Sequence, residues 1–280
     1  MTGISVPVDL SAPPKRYAPV NRCIYCSVYS GQLTLEHIVP YGLAGNALLL
    51  PKASCKTCES ITGQFEQICL RTILGPFRLR FNSPTRNPKD RPATLPLVLA
   101  TAIDSEPIPL QTITVPVPEF PMAFVGLRLR RARILDGKEP LRLRDDESQT
   151  AVDGEIWGKS SPEDMARYVP QGIKMDYGFQ LGKIQPVAFA KQIAKIAHAY
   201  AVAELGLNAF RPLATELILG KTDTLSQWVG GEWEIPPPSD ALFDLRLEKI
   251  SSKGKNFLLV HVRLFSFFGT PQYHVVVGET

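Results

Sequence analysis

Long apolar runs, cysteine and histidine are all scarce in this chain, and each shortage narrows what it can be. No run of about eighteen uncharged apolar residues occurs in its 280 residues, so nothing reads as a transmembrane helix. The N-terminus lacks the basic-then-apolar layout of a secretory signal, and the expectation is a cytoplasmic protein with no membrane partner. Five cysteines in such a setting do not read as a disulfide framework, because reducing compartments keep thiols free. The four histidines leave few candidates for proton transfer. No internal repeat is visible.

What is present looks like an ordinary globular chain, 44% hydrophobic and 21% charged, which permits a packed core. The length exceeds one compact core and favours a catalytic module plus further domains. A net charge of +4 says little by itself about an anionic partner. Its distribution says more. Arg71, Arg78, Arg80, Arg86, Lys89 and Arg91 fall in one stretch, and Arg128, Arg130, Arg131, Arg133, Arg142 and Arg144 in another. Both are candidate phosphate contacts, and the second fits equally well the solvated face of edge strands.

Along the chain, residues 1–20 carry four prolines and predict an extended lead-in rather than a helix. Residues 21–92 form the first module: a CxxC knuckle, a strand at Leu33 to His37, a Pro/Gly loop, an apolar run at Leu48 to Leu50, and a second CxxC opening a helix. Ile61, Phe65, Ile68 and Leu70 recur at helical spacing, and Gly75-Pro76 should end that helix. Residues 93–170 alternate apolar and polar residues among prolines and predict short strands. Residues 171–280 predict a C-terminal α+β domain. In it, Pro186 to Leu205 is a helix striped by Phe189, Ile193, Ile196, Ala197 and Tyr200. Three strands follow over Leu242 to Ile250, Phe257 to Phe268 and Tyr273 to Val277. The fold class expected is α+β.

Cys23, Cys26, Cys55 and Cys58 form two CxxC pairs separated by 28 residues. Each pair lets two thiolates converge on one ion, and four sulfurs complete a closed tetrahedral shell. The expected cofactor is therefore a structural zinc with no open position for water. The fifth cysteine, Cys69, sits in an apolar helical context and reads as a buried thiol.

Between the pairs lies Leu35-Glu36-His37-Ile38-Val39-Pro40, then Gly42, Gly45 and Asn46. This order, closed by the second CxxC and an acidic residue, resembles the HNH endonuclease family over about residues 21–70. Leu50 to Cys58 resembles a bacterial subgroup of it. The resemblance implies two short antiparallel strands packed on one helix, the ββα-metal arrangement. It implies that His37 is the general base, as suits an imidazole titrating near neutrality. It implies that Glu36 holds a catalytic Mg2+ or Mn2+, ions that prefer oxygen donors, to support the scissile phosphate. The family's last motif residue, usually His or Asn, falls on Glu59, and Glu66, further along the same helix face, could assist or replace it. The middle Asn, which orients the base, corresponds to Asn46, whereas counting from the cysteines would place Leu50 there.

The function so implied is metal-dependent hydrolysis of phosphodiester bonds in DNA, leaving 5′-phosphate and 3′-hydroxyl ends, in a setting such as bacterial restriction or anti-phage defence. Arg71, Arg78, Arg80 and Arg86 would grip the nucleic-acid backbone, and a protein partner or homodimer would use the C-terminal domain. Two alternatives stay open. One is a zinc-ribbon module that binds nucleic acid without cutting it. The other is an interaction protein in which zinc only staples the fold. His198, His261 and His274 read as packing or cross-strand residues, and Trp228 and Trp233 as anchors under a loop rather than base-stacking platforms.

Overall fold

An alanine-rich helix organises the molecule, because small side chains let other elements approach its axis from every side. The computed structural model describes residues 2–8, 10, 12–29, 31–103, 106–141, 153–168, 177–180, 184–222 and 224–280. The chain opens with β1 (Thr2–Pro7), β2 (Lys15–Arg16), β3 (Leu33–His37), α1 (Tyr41–Ala44), β4 (Leu48–Cys55), α2 (Lys56–Arg71) and α3 (Gly75–Arg80). Its middle holds β5 (Thr94–Ile103), β6 (Glu106–Pro116), β7 (Ala123–Leu129), α4 (Arg133–Asp136), β8 (Gly154–Ser160), α5 (Pro162–Ala166) and β9 (Tyr177–Gln180). There follow α6 (Pro186–Leu205), β10 (Arg211–Pro212), α7 (Thr215–Ile218), α8 (Leu225–Trp228), β11 (Val229–Gly231), β12 (Ala241–Ser252), β13 (Lys255–Leu264) and β14 (Gln272–Glu279). Helices and strands are mixed and the strands fall into several sheets, the α+β class expected. Among the described residues no helix is long and apolar enough to cross a membrane.

Pro186 sits in the first turn of α6, where its missing N–H costs nothing, and Gly206, at φ +85°, follows the last turn. The helix packs on α2 on one side and on β13 and β14 on another. All five residues of its expected stripe are fully buried, and so are Ala190, Ala194, Ala199 and Ala201. It is thus a helix buried all round rather than along one face. The principal sheet runs β1-β12-β13-β14-β10, with β11 also pairing β14. Phe257, Leu259 and Val276 face a second, smaller cluster with Ala132 and Leu135. Covered on both faces, β13 and β14 become almost unbroken apolar runs.

The lead-in is extended, as expected, and its strands find partners across the fold: β1 pairs antiparallel with β12, Ile4 opposite Leu245 and Val6 opposite Phe243, and β2 pairs parallel with β4. The helix stops before Gly75-Pro76, as expected, but Pro76 also opens a further helix, α3, that was not expected within residues 21–92. On α2 the buried face is Cys58, Thr62, Phe65 and Cys69, while Ile68 is exposed. The face that turns inward is the one carrying Cys58, so apolar spacing alone misjudged the rotation of the helix. One hydrophobic cluster runs from Ile24, Ile38 and Phe65 through Phe189 and Ile193 to Phe243 and Val260. Module and sheet therefore share a core.

Candidate functional site

Antiparallel β3 and β4 followed by α2 make a ββα unit, and the four CxxC cysteines meet at one end of it. Their sulfurs all lie within 4.8 Å of one another, with Cys26 Sγ 3.7 Å from Cys55 Sγ. A tetrahedron with metal–sulfur bonds of about 2.3 Å has edges of about 3.8 Å, so the cluster could hold a metal ion such as zinc. Cys55 caps α2 and Cys58 lies in its first turn, where the positive end of the helix dipole favours thiolates. Burial raises the Cys55 thiol, but the Cys58 N–H and neighbouring sulfurs outweigh it and leave it below the ordinary value. Burial, reinforced by the charge at Cys23, pushes Cys58 well up. Thiols so crowded ionise together only around a cation. Cys69 is fully buried, as expected.

His37 ends β3, and its ring Nε2 lies 3.1 Å from Asn46 Oδ1. The side chain of Asn46 reaches the ring because Gly45, at φ +57° and ψ −129°, turns the chain after α1 through a conformation open to glycine. An amide oxygen accepts only, so Nε2 carries the proton and Nδ1 keeps its lone pair. Tyr41 packs edge-on against the imidazole at 5.6 Å between centroids. Burial holds the His37 pKa below the ordinary 6.5, and Lys195 and Arg86 pull the same way against Asn46. The ring is therefore neutral at pH 7 and able to take a proton.

Beside it the structure assembles a cluster that sequence reasoning missed. A register shift between Thr34 and Glu36 bulges β3 at Leu35, and Glu36 turns into the interior with 6% exposure. There its Oε1 lies 2.5 Å from Lys195 Nζ, and Glu66 Oε1 lies 2.8 Å from the same nitrogen. Lys195 also donates to the His37 carbonyl oxygen and is 1% exposed. Burial alone would lower the Lys195 pKa, but the two carboxylates outweigh it and hold it above the ordinary lysine value. Charge at Glu36 and Glu66 adds to burial in raising the Tyr25 phenol, which faces this cluster.

This arrangement tests the catalytic-metal set implied by the resemblance. Glu36 and Glu66 come together, but a buried ammonium is ion-paired with both. Glu59 stands apart, exposed and paired with Lys56 at 3.0 Å. As arranged, the three carboxylates do not fit a divalent ion.

An open cleft of about 290 Å³ joins these groups, walled by His37, Tyr41, Glu59, Glu66, Arg78 and Arg86. Of the four arginines expected at nucleic acid, Arg78 spends its guanidinium on the carbonyl oxygens of Gly42 and Pro84, at 2.9 and 3.0 Å, and Arg80 on that of Phe120 at 2.8 Å. Arg86 lies 5.7 Å from the Tyr41 ring at the cleft wall, and Arg71 is exposed at the end of α2. In the second basic run Arg128, Arg130, Arg131 and Arg133 pair with Glu155, Asp153 and Asp136. Arg142 and Arg144 lie outside the described residues.

The other histidines make contacts within the fold. His198 is fully buried and donates from Nε2 to the Ile24 carbonyl at 2.8 Å. His261 pairs with Glu248 at 2.9 Å, and His274 accepts the Ala132 N–H at 3.0 Å. Trp228 packs against the core, and Trp233 lies under the guanidiniums of Arg128 and Arg130 at 4.1 and 4.4 Å.

Lys195 did leave a sequence signal: a charge inside a helix apolar on every side must find partners. Compared with family models, curated proteins and solved structures, the chain matches none. The part of the HNH resemblance seen directly is the four-cysteine cluster able to bind a metal.

Proposed function

We propose that the chain is an HNH-type endonuclease that hydrolyses phosphodiester bonds in DNA, with His37 as general base. The observation that carries this reading is the His37–Asn46 hydrogen bond on the wall of an open cleft. It fixes the tautomer that leaves Nδ1 free to accept a proton from water. The hydroxide so formed attacks phosphorus, the bond to the 3′ oxygen breaks, and the leaving oxygen is protonated from solvent. Arg86 meets the charge of the scissile phosphate, and Arg71 extends the basic track for salt-sensitive, largely sequence-independent binding. The metal at the four cysteines is a structural zinc whose closed shell ties the knuckle to α2 and leaves no position for water. No step is assigned to magnesium or manganese, because Glu36 and Glu66 are engaged by Lys195.

The test is cleavage of supercoiled plasmid and of matched single-stranded DNA and RNA by the zinc-loaded protein, beside His37→Ala. Loss of cutting by at least about a hundredfold in the variant is expected. Equal cutting by both proteins, or by neither, defeats the assignment. The capture of buried Glu36 and half-buried Glu66 by Lys195 favours a second reading, a module that binds nucleic acid without cutting it. Retarded migration of DNA with no products would mark that outcome.

A further inference from the structure

We propose that Lys195 is a tethered cation standing between Glu36 and Glu66 in place of the divalent ion that the HNH resemblance implies, so that this site takes up neither magnesium nor manganese. The idea rests on the nuclease reading for its meaning, while its evidence is geometric. An ammonium has three N–H donors, and three acceptors surround this one: Glu36 Oε1 at 2.5 Å, Glu66 Oε1 at 2.8 Å and the His37 carbonyl. The first two contacts are ion pairs and the third is a hydrogen bond. The acceptors come from β3 and α2 and the donor from α6, so three separate elements converge on one charge.

At 1% exposure the lysine has nowhere else to go. Its neighbours Ala194, Ile196 and Ala199 are fully buried and apolar. A metal entering between the carboxylates would strand a charge in hydrocarbon, a severe penalty. Replacing a dication by a monocation also changes the charge count. Two carboxylates and one ammonium leave the cluster with one net negative charge, where a divalent ion would have cancelled it. A bound phosphodiester must then be neutralised from the other wall of the cleft, by Arg86.

The test is manganese binding by the zinc-loaded full-length protein, read from loss of the electron paramagnetic resonance signal of free Mn2+. Wild type is expected to show no uptake dependent on Glu36 up to about 1 mM. Lys195→Ala, which leaves two acids facing one another, is expected to bind one Mn2+ at least about tenfold more tightly than wild type. Adding Glu66→Gln should abolish that gain. Uptake by wild type that disappears in Glu36→Gln overturns the proposal, and so does a folded Lys195→Ala protein that gains no manganese. If Lys195→Ala fails to fold, the wild-type and Glu36→Gln titrations decide alone, and uptake surviving Glu36→Gln lies elsewhere and supports the proposal. Plasmid cleavage is read in parallel. Absence of both cutting and uptake removes the nuclease reading and leaves this one, whereas manganese-dependent cutting with uptake lost in Glu36→Gln does the reverse.

Discussion

The N-terminal ββα unit and the C-terminal sheet both pack a helix on antiparallel strands, yet different forces hold them. The sheet has β12, β13 and β14 wrapped on α6, with Phe243, Leu258, Val260 and Val277 all fully buried. Burial of that kind stabilises by roughly 1.5–3 kcal/mol per large side chain. The ββα unit has a principal pair of strands and a helix whose inward face is two cysteines, a threonine and a phenylalanine. Its strands and loop add Ile38, Leu43, Leu48 and Leu50 to the core shared with the sheet. Beyond that shared burial it carries a sulfur cluster at one end and a Glu–Lys–Glu cluster at the other, both placed by chemistry rather than by area. The sheet is held by apolar surface, and the ββα unit by apolar surface together with ionic contacts.

That contrast can be broken or sharpened by experiment, taking the largest effect first. Cys58→Ser, or removal of zinc by a chelator, should cost on the order of 10 kcal/mol of metal-linked folding energy. Hydrogen exchange should then accelerate across β3, β4 and α2 while β13 and β14 stay protected. If the sheet loses protection as fast, the two regions do not differ. Next, Lys195→Met should destabilise by about 3–5 kcal/mol, because buried Glu36 and half-buried Glu66 lose their partner. Urea titration measures it. Leu258→Ala in the sheet should cost about 3 kcal/mol, and its effect should be the same at low and high salt.

The seam between the regions should be sensitive to acid. His198 on α6 bonds the knuckle at Ile24, and burial lowers its pKa from 6.5 to about 4. Below pH 6.5 the unfolded chain binds a proton that the folded chain refuses until about pH 4. Stability is therefore full above pH 6.5 and falls as pH drops through that window, by about 3 kcal/mol in all. In His198→Gln, kept in excess zinc, the slope between pH 6.5 and 4 should flatten in thermal melts. The smallest effect on stability belongs to Asn46→Ala, under about 1 kcal/mol because the bond is at the surface. Its activity should nonetheless fall roughly ten- to a hundredfold.

Legibility followed range along the chain. The CxxC spacing, the α6 boundaries and the three final strands were all readable, because capping residues, turns and alternation act between near neighbours. Asn46 was half-readable: the HNH resemblance offered it, with Leu50 as the rival, as the amide that orients His37, but only the turn at Gly45 settles where its amide goes. Hidden from the sequence were contacts made across the fold. β1 finds its place only beside β12, the bulge at Leu35 exists only against β4, and Arg78 and Arg80 look like phosphate ligands until their carbonyl partners are seen. The engagement of Glu36 by Lys195 is the extreme case, since no local pattern links a strand to a helix so far along the chain.

That separation also sets a schedule. The lysine that donates to the His37 carbonyl stands 158 residues downstream of it. At ribosomal speeds of about 5–20 residues per second, the carboxylates wait roughly ten to thirty seconds for their counter-charge. A nascent chain therefore carries an unfinished cleft, and its completion coincides with arrival of the helix at the centre of the fold.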